Sequence, residues 1–406
     1  MVDVVIIGAG ASGLVAAIEA ARAKKKVIIL EKNAKVGKKL LATGNGRCNI
    51  TNQRPTAEHY YSQNPKFVRN VLEGYGYQTI KQFFKSIGLE LVEAKEGKVF
   101  PLSLQASSVV ELLRYECESL GIEILCDSLV KDISLDNGLF STKYTQGIIK
   151  SKKLLLATGH TSAPQLGGVE DGLVFASKMG HRIIDGFPTL VQLTSSYDRA
   201  YLKRISGVKV ESRVTLKCKG RSVTKEGDVL FTNYGISGLA ILDISRFVMQ
   251  ELTKKRTALL NIDLMPKMSH EQLVALMKKS LKKKSSKPLT LWMQGFINKK
   301  LIFPILEPLN LAHLSVGELH EDREKLVKIA QRVKSFPFEV NGSRGYRGAE
   351  VASGGIDTKE VNSETLESKR VKNLYFSGEI LDVDGDRGGY NLHFAWATAL
   401  RVAKAL

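Results

Sequence analysis

Cysteine is scarce in this chain and badly spaced for any framework. Four residues, Cys48, Cys117, Cys126 and Cys218, are spread over 406. They form no C-x-x-C pair and no Cys-His cluster, which excludes a disulfide scaffold and leaves no metal ligand set. Proline is rare at 10 residues and the hydrophobic share is 43%, so neither a low-complexity nor a disordered chain fits. Long apolar runs are missing: Val4-Val5-Ile6-Ile7 and Leu154-Leu155-Leu156-Ala157 fall far below the ~20 residues of a membrane span. The opening residues lack a basic segment followed by an apolar one and a small-residue cleavage site. A cytoplasmic protein with no membrane partner is expected. Acidic residues are in deficit, 41 against 60 Lys and Arg, a net charge of +19, and that imbalance raises the question of a polyanionic partner.

What is present is hydrophobic periodicity. An apolar strand at Asp3 to Ile7 is followed by a glycine turn. Leu14, Ile18 and Ala21 then recur at the helical period, and a second strand runs from Val27 to Leu30, a βαβ opening. The fold class is α/β. Helical segments follow near 67–87 and 107–120, then strand-like ones near 122–130 and 139–144, and Leu154-Leu155-Leu156-Ala157-Thr158-Gly159 reads as a further buried parallel strand. From 190 to 265 the texture is β-alternating, which predicts a small antiparallel barrel or sandwich. From 266 to 339 it is helical, with Leu273, Met277 and Leu281 on one stripe. Leu374-Tyr375-Phe376-Ser377-Gly378 and the helix after it return to the opening style. The expected organisation is a first domain split into 1–189 and 340–406 around an insert at 190–339.

Gly8-Ala9-Gly10-Ala11-Ser12-Gly13 is a G-x-G-x-x-G placed between a strand and a helix, with Glu31 at the end of the next strand. In that setting Gly8 makes the turn, Gly10 admits a pyrophosphate, Gly13 lets helix and strand approach, and Glu31 accepts from a ribose. Phosphate then rests on free N–H groups at a helix N-terminus. No second fingerprint in this context occurs, which favours one resident dinucleotide. FAD fits that reading; a lone unit of this kind also holds NAD.

Two longer stretches narrow the choice. Gly37 to Asn52, containing Thr43-Gly44-Asn45-Gly46-Arg47-Cys48-Asn49, and Ser377 to Leu392, containing Gly388-Gly389-Tyr390-Asn391, resemble the bacterial HI0933/YhiN-like flavoproteins, a family that includes aminoacetone oxidases and NAD(P)/FAD-dependent reductases. Ala157-Thr158-Gly159, Phe231 to Gly238 and Gly354-Gly355-Ile356 extend the resemblance over nearly the whole chain. It implies a glutathione-reductase-type FAD domain with an inserted β-barrel plus helices covering the flavin. It also implies cofactor contacts at Ala11, Ser12, Lys32, Lys39, Thr43, Gly44, Gly46, Arg47, Cys48, Asn49, Thr158, Gly159, Gly378, Glu379, Gly389, Tyr390 and Asn391, beside Gly8, Gly10, Gly13 and Glu31. Glu379 occupies the place where such proteins meet the ribityl chain, and the helix opened by Gly389 points free N–H groups at the flavin edge where charge collects on reduction.

Departures are informative. His160 stands where the family usually has glycine, and a lone loop histidine is more often a packing residue. Cys48 has no partner cysteine nearby, so a buried apolar role is favoured over redox chemistry. Arg47 and Lys39 read as phosphate or flavin contacts or, equally, as solvated loop charge. Asp382, Asp384 and Asp386 lack EF-hand spacing. No general acid or base is recognisable, so the catalytic residues stay unassigned. Between Lys254 and Lys300 there are 12 basic residues and two acidic ones, including Lys278-Lys279 and Lys282-Lys283-Lys284. A solvated helix face is the favoured reading, because aromatics do not interleave with these lysines. The leading expectation is an FAD-dependent oxidoreductase passing hydride through flavin N5 between a small organic substrate and NAD(P)H or oxygen, with NAD(P)H as a transient donor. The alternative is an RNA-linked flavoprotein gripping nucleic acid with its basic insert.

Overall fold

The computed structural model describes residues 1–218, 220–255, 257–281 and 285–406. It divides into two compact units, the first made of Met1–Pro188 and Ala349–Leu406, the second of Thr189–Gly348. The sequence places the return to the first domain at 340. The structure moves it to 349, because the short strand Gly342–Ser343 pairs with Leu193–Thr194 inside the second unit. A two-residue strand carries no hydrophobic period, so the sequence has no mark for it.

The first unit begins with strand β1 (Val2–Ile7), helix α1 (Ala11–Arg22) and strand β2 (Val27–Leu30). Both strands are apolar at nearly every position because both sheet faces are covered. Helix α2 (Lys38–Ala42) follows, and after a helical stretch come β3 (Glu123–Leu125), β4 (Val130–Asp136), β5 (Leu139–Tyr144) and β6 (Gly147–Leu156). The sheet order is β3-β2-β1-β6-β5-β4. β1 lies parallel to β2 and β6, with Val5 opposite Ile28 and Leu154.

The second unit contains α3 (Arg199–Ile205), the long hairpin β7 (Lys209–Cys218) and β8 (Arg221–Phe231), α4 (Leu239–Leu252) and β9 (Ala258–Asp263). Then come α5 (His270–Ser280), α6 (Lys299–Leu306), α7 (Arg323–Lys334) and β10 (Phe336–Val340). Lys278 and Lys279 end α5, whereas Lys282-Lys283-Lys284 lie outside the described residues. All strands here are antiparallel, in the order β10-β9-β7-β8 followed by Gly235–Ser237, Leu193–Thr194 and Gly342–Ser343. The two edge strands of that series are separated by Asn341 alone, whose N–H donates to the Thr194 carbonyl at 3.1 Å. The sheet therefore curls back on itself as a small barrel, with Phe231, Phe336 and Phe338 fully buried inside the unit.

The chain re-enters the first unit with β11 (Leu374–Phe376), parallel to the upper half of β6, and ends in helix α8 (Tyr390–Ala403). Eleven of its 14 residues are buried, and it packs against α1. Trp396, fully buried, donates its indole N–H to the Ile50 carbonyl at 2.8 Å.

The tightest joint lies at the first glycines. Gly8 has φ +107°, and a Cβ on Gly13 would lie 1.9 Å from the Gly8 carbonyl oxygen. Gly13→Ala should therefore force α1 off β1, with an expected loss of about 2–3 kcal/mol, read as a lower urea midpoint at unchanged slope.

Candidate functional site

Four of the parallel strands end at one edge of the first unit's sheet, and most of the predicted site residues lie just beyond them. Gly8 to Gly13 follow β1, Glu31 follows β2, Thr158 and Gly159 follow β6, and Gly378 and Glu379 follow β11. The carboxyl edge of a parallel sheet is where α/β proteins bind ligands. At Gly10 the backbone is extended, and a Cβ there would meet nothing within 4 Å. The space above the turn is therefore open in the way a pyrophosphate needs. Gly8 and Gly13, by contrast, are closed in by backbone.

Glu31 is buried, 7% exposed. One of its oxygens accepts from the Ala9 N–H at 2.8 Å, the other from the backbone N–H and side-chain amide of Asn33 at 2.8 and 2.6 Å. The carboxylate thus anchors the glycine turn and keeps lone pairs for a ribose. Ser12, expected at the cofactor, turns its hydroxyl onto the Ser377 carbonyl at 3.3 Å. The Gly378 N–H donates to Thr398 Oγ1 at 3.0 Å. Both serve to seat α1 and α8 against β11.

Glu379 is the electrostatic centre of the edge. Its Oε2 pairs with Lys39 Nζ at 2.6 Å, and its Oε1 accepts from Ser162 Oγ at 2.7 Å and the Ala352 N–H at 3.0 Å. Lys39 also donates to Ser162 at 2.5 Å. Burial pushes this carboxyl up, but the Lys39 ammonium and the Ser162 hydroxyl outweigh it and hold it below the ordinary glutamate value. Ser162 carries no motif and was invisible in the sequence. Lys39 is thus held by Glu379 and Ser162.

The loop from Thr43 to Asn49 is turned sharply, with left-handed backbone at Gly44, Asn45, Gly46 and Cys48. Its side chains are largely spent on the protein. Thr43 donates to the Leu40 carbonyl at 2.6 Å. Asn49, in the amide orientation that satisfies its neighbours, donates to the Val99 and Thr51 carbonyls and accepts from the Gly389 N–H at 3.0 Å. The loop is thereby clipped to the start of α8. Cys48 is fully buried, and burial pushes its thiol up to about 11. Arg47 is exposed, with its guanidinium 5.5 Å from the Phe100 ring centre. Lys32 is half-buried. His160 is 5% exposed and its Nδ1 accepts from the Thr161 N–H at 2.8 Å. Burial pushes it towards the neutral form, as suits a packing residue.

At the start of α8, the Asn391 amide closes the preceding loop, accepting from the Gly385 N–H at 2.7 Å and donating to the Gly385 carbonyl at 2.9 Å. Tyr390 stacks on His59 with ring centres 4.2 Å apart. His59 Nδ1 lies 3.1 Å from Asp386 Oδ2, and Tyr61 donates to Asp386 Oδ1 at 3.0 Å. No sequence motif announced this hydrogen-bonded pair, since its members are more than 300 residues apart. Among the described residues no group of three or more His, Cys, Asp or Glu is disposed to hold a metal ion.

The family description "HI0933-like protein Rossmann domain" matches residues 2–405. This chain belongs to that family. A 3-dehydro-bile acid delta(4,6)-reductase of Clostridium scindens is 36% identical, the alignment covering 98% of each chain. A ribosomal RNA dihydrouridine synthase of Haemophilus influenzae is 33% identical, over 99% of this chain and 98% of that one. Among solved structures, a 3-ketosteroid delta1-dehydrogenase of Sterolibacterium denitrificans shares the fold at a TM-score of 0.53 and 11% identity, covering 100% of this chain and 99% of that one. With the family comes the FAD-binding Rossmann domain of an oxidoreductase, and the open turn at Gly10 fits that cofactor.

Two outcomes follow. A Cβ at Gly10 meets no protein atom, so Gly10→Val should purify without the yellow flavin band and melt with the flavin-stripped wild type, below the flavin-loaded protein. Lys39→Met should cost about 1.5–3 kcal/mol at neutral pH by stranding the Glu379 carboxylate. Because Lys39 lowers the folded-state pKa of Glu379, its contribution is present above the ordinary glutamate value and is lost as pH falls below it. The gap between wild type and variant in denaturant titrations should therefore close as the pH falls below the ordinary glutamate value.

Proposed function

We propose that this protein is a flavin-dependent reductase of a carbon–carbon double bond conjugated to a carbonyl, and that its substrate is uridine in RNA. The chemistry is what the two relatives' names have in common. The two delta(4,6) double bonds of a 3-oxo steroid and the C5=C6 bond of uracil are all conjugated to a carbonyl, and each reduction adds a hydride and a proton across one of them. When bound, FAD would supply the hydride chemistry, with NAD(P)H as the two-electron source and the balancing proton taken from solvent. The chain's own residues hold that cofactor by the open turn at Gly10, the ribose acceptor Glu31 and the Glu379 carboxylate.

One observation carries the choice of RNA over a small substrate. The second unit, Thr189–Gly348, has 29 Lys and Arg against 14 Asp and Glu, a net +15 of the chain's +19. A neutral or anionic small molecule requires no such field, whereas a polyphosphate backbone is bound chiefly through it. A small unsaturated ketone is the second reading, favoured by the 36% identity to the bile acid reductase.

Anaerobic titration with NADPH and then NADH should bleach the flavin band. Addition of ribosomal RNA to the reduced protein should restore the band and yield dihydrouridine on nuclease digestion and mass spectrometry. Reoxidation by a 3-oxo-delta(4,6) steroid but not by RNA would sink the RNA substrate and leave the reductase chemistry standing.

A further inference from the structure

The second unit's charge is not evenly spread. From Gln272 to Leu306 the chain has eight lysines and no Asp or Glu. Two of those lysines, Lys299 and Lys300, open α6, which packs against α3. Lys300 Nζ donates to the Ser206 carbonyl at the end of α3, at 2.6 Å, and so ties the two helices together. Beside that tie lies an open cleft of about 490 Å³, lined by Gly207 and Val208 just after α3 and by Gln294, Ile297, Asn298, Lys299 and Lys300 before and at the start of α6.

Lys203 on α3 and Lys299 on α6 are exposed and form no ion pair among the described residues. The acid flanking α6, Glu307, faces Arg204 at 3.9 Å. Phe303, one helical turn after Lys299, is 47% exposed. Leu291, before the cleft residues in sequence, is 52% exposed. Sequence spacing gave no sign of an aromatic among these lysines, yet an α-helix places residues i and i+4 on one face. The result is a basic concavity on a surface that also presents an exposed aromatic ring, the combination that single-stranded nucleic acid uses for backbone and base.

We infer that the cleft at the start of α6 holds the phosphodiester backbone of single-stranded RNA, with Lys299 in its wall and Lys203 on the adjoining α3 facing successive phosphates, and Phe303, one turn along α6 from Lys299, offering a stacking face beside it. This rests on the RNA reading above and places the contact on the second unit. Lysines on phosphates release counterions, so each contact contributes about 0.7 to the slope of log affinity against log salt for a single strand. Base identity plays no part in that term.

The test uses the full FAD-loaded protein and a fluorescently labelled poly(U) oligonucleotide, with affinity measured across a salt series from about 50 mM. Lys203→Glu with Lys299→Glu should weaken binding at least tenfold at the lowest salt and flatten the salt slope by about 1.4. Phe303→Ala should weaken binding without changing the slope. A matched reversal on the first unit, Lys24→Glu with Lys25→Glu, alters net charge equally and should cost less than threefold. NAD(P)H-driven bleaching should be the same in all variants. Equal losses from the two reversals, or none from the cleft variant, would overturn the assignment of this cleft while wild-type binding keeps the RNA reading alive. Failure of the wild-type protein to bind poly(U) or ribosomal RNA at the lowest salt would sink both.

Discussion

Parallel pairing of β1 with β2 and β6, and of β6 with β11, is the constraint from which the first unit's site follows. Val5 lies opposite Leu154, and Leu154 opposite Leu374, so four segments from distant parts of the chain end at one level. Parallel strands need long crossovers, which is why the pieces at residues 8, 31, 158 and 378 meet although hundreds of residues separate the first from the last. A change of register by one residue would turn every side chain on a strand to the other face. The fully buried Val4, Val5 and Ile6, and Leu154 to Leu156, make such a slip costly.

Several polar groups at that edge are satisfied within the protein. Glu31 ties the glycine turn to Asn33, Asn49 ties the left-handed loop to Gly389, and Asn391 closes its own loop on Gly385. Few side chains are left dangling over the turn, and the free donors are mainly backbone N–H groups at the first turns of α1 and α8. Backbone dipoles cannot rotate away, so a site built from them is preorganised for an anionic cofactor. The Lys39–Glu379 pair adds a fixed charge couple, stabilised by Ser162 against the cost of its burial.

The second unit obeys a different rule. Its barrel is closed by a single residue, Asn341, between edge strands, and its apolar residues are spent on a core around Phe231, Phe336 and Phe338. It carries nearly all of the chain's positive excess. A nearly neutral unit thus carries the glycine turn with its fixed local dipoles, and a strongly basic one carries the long-range field.

By itself the sequence determined the elements, the glycine fingerprint and the charge. Periodicity is local, so the alternation of β7 and β8, the stripe of α5 and the buried runs of β1 and β6 were all legible, as were the roles of Gly8, Gly10 and Gly13, because each follows from its immediate neighbours. The tertiary structure decided what depends on residues meeting across the chain. Ser162 joined Lys39 and Glu379, His59 met Asp386, Phe303 emerged beside the lysines of α6, and the domain return moved from 340 to 349 with the pairing of Gly342–Ser343. None of these leaves a trace in spacing or composition, since hydrogen bonds and ion pairs between distant residues are set by strand register and helix packing, which only the folded chain specifies.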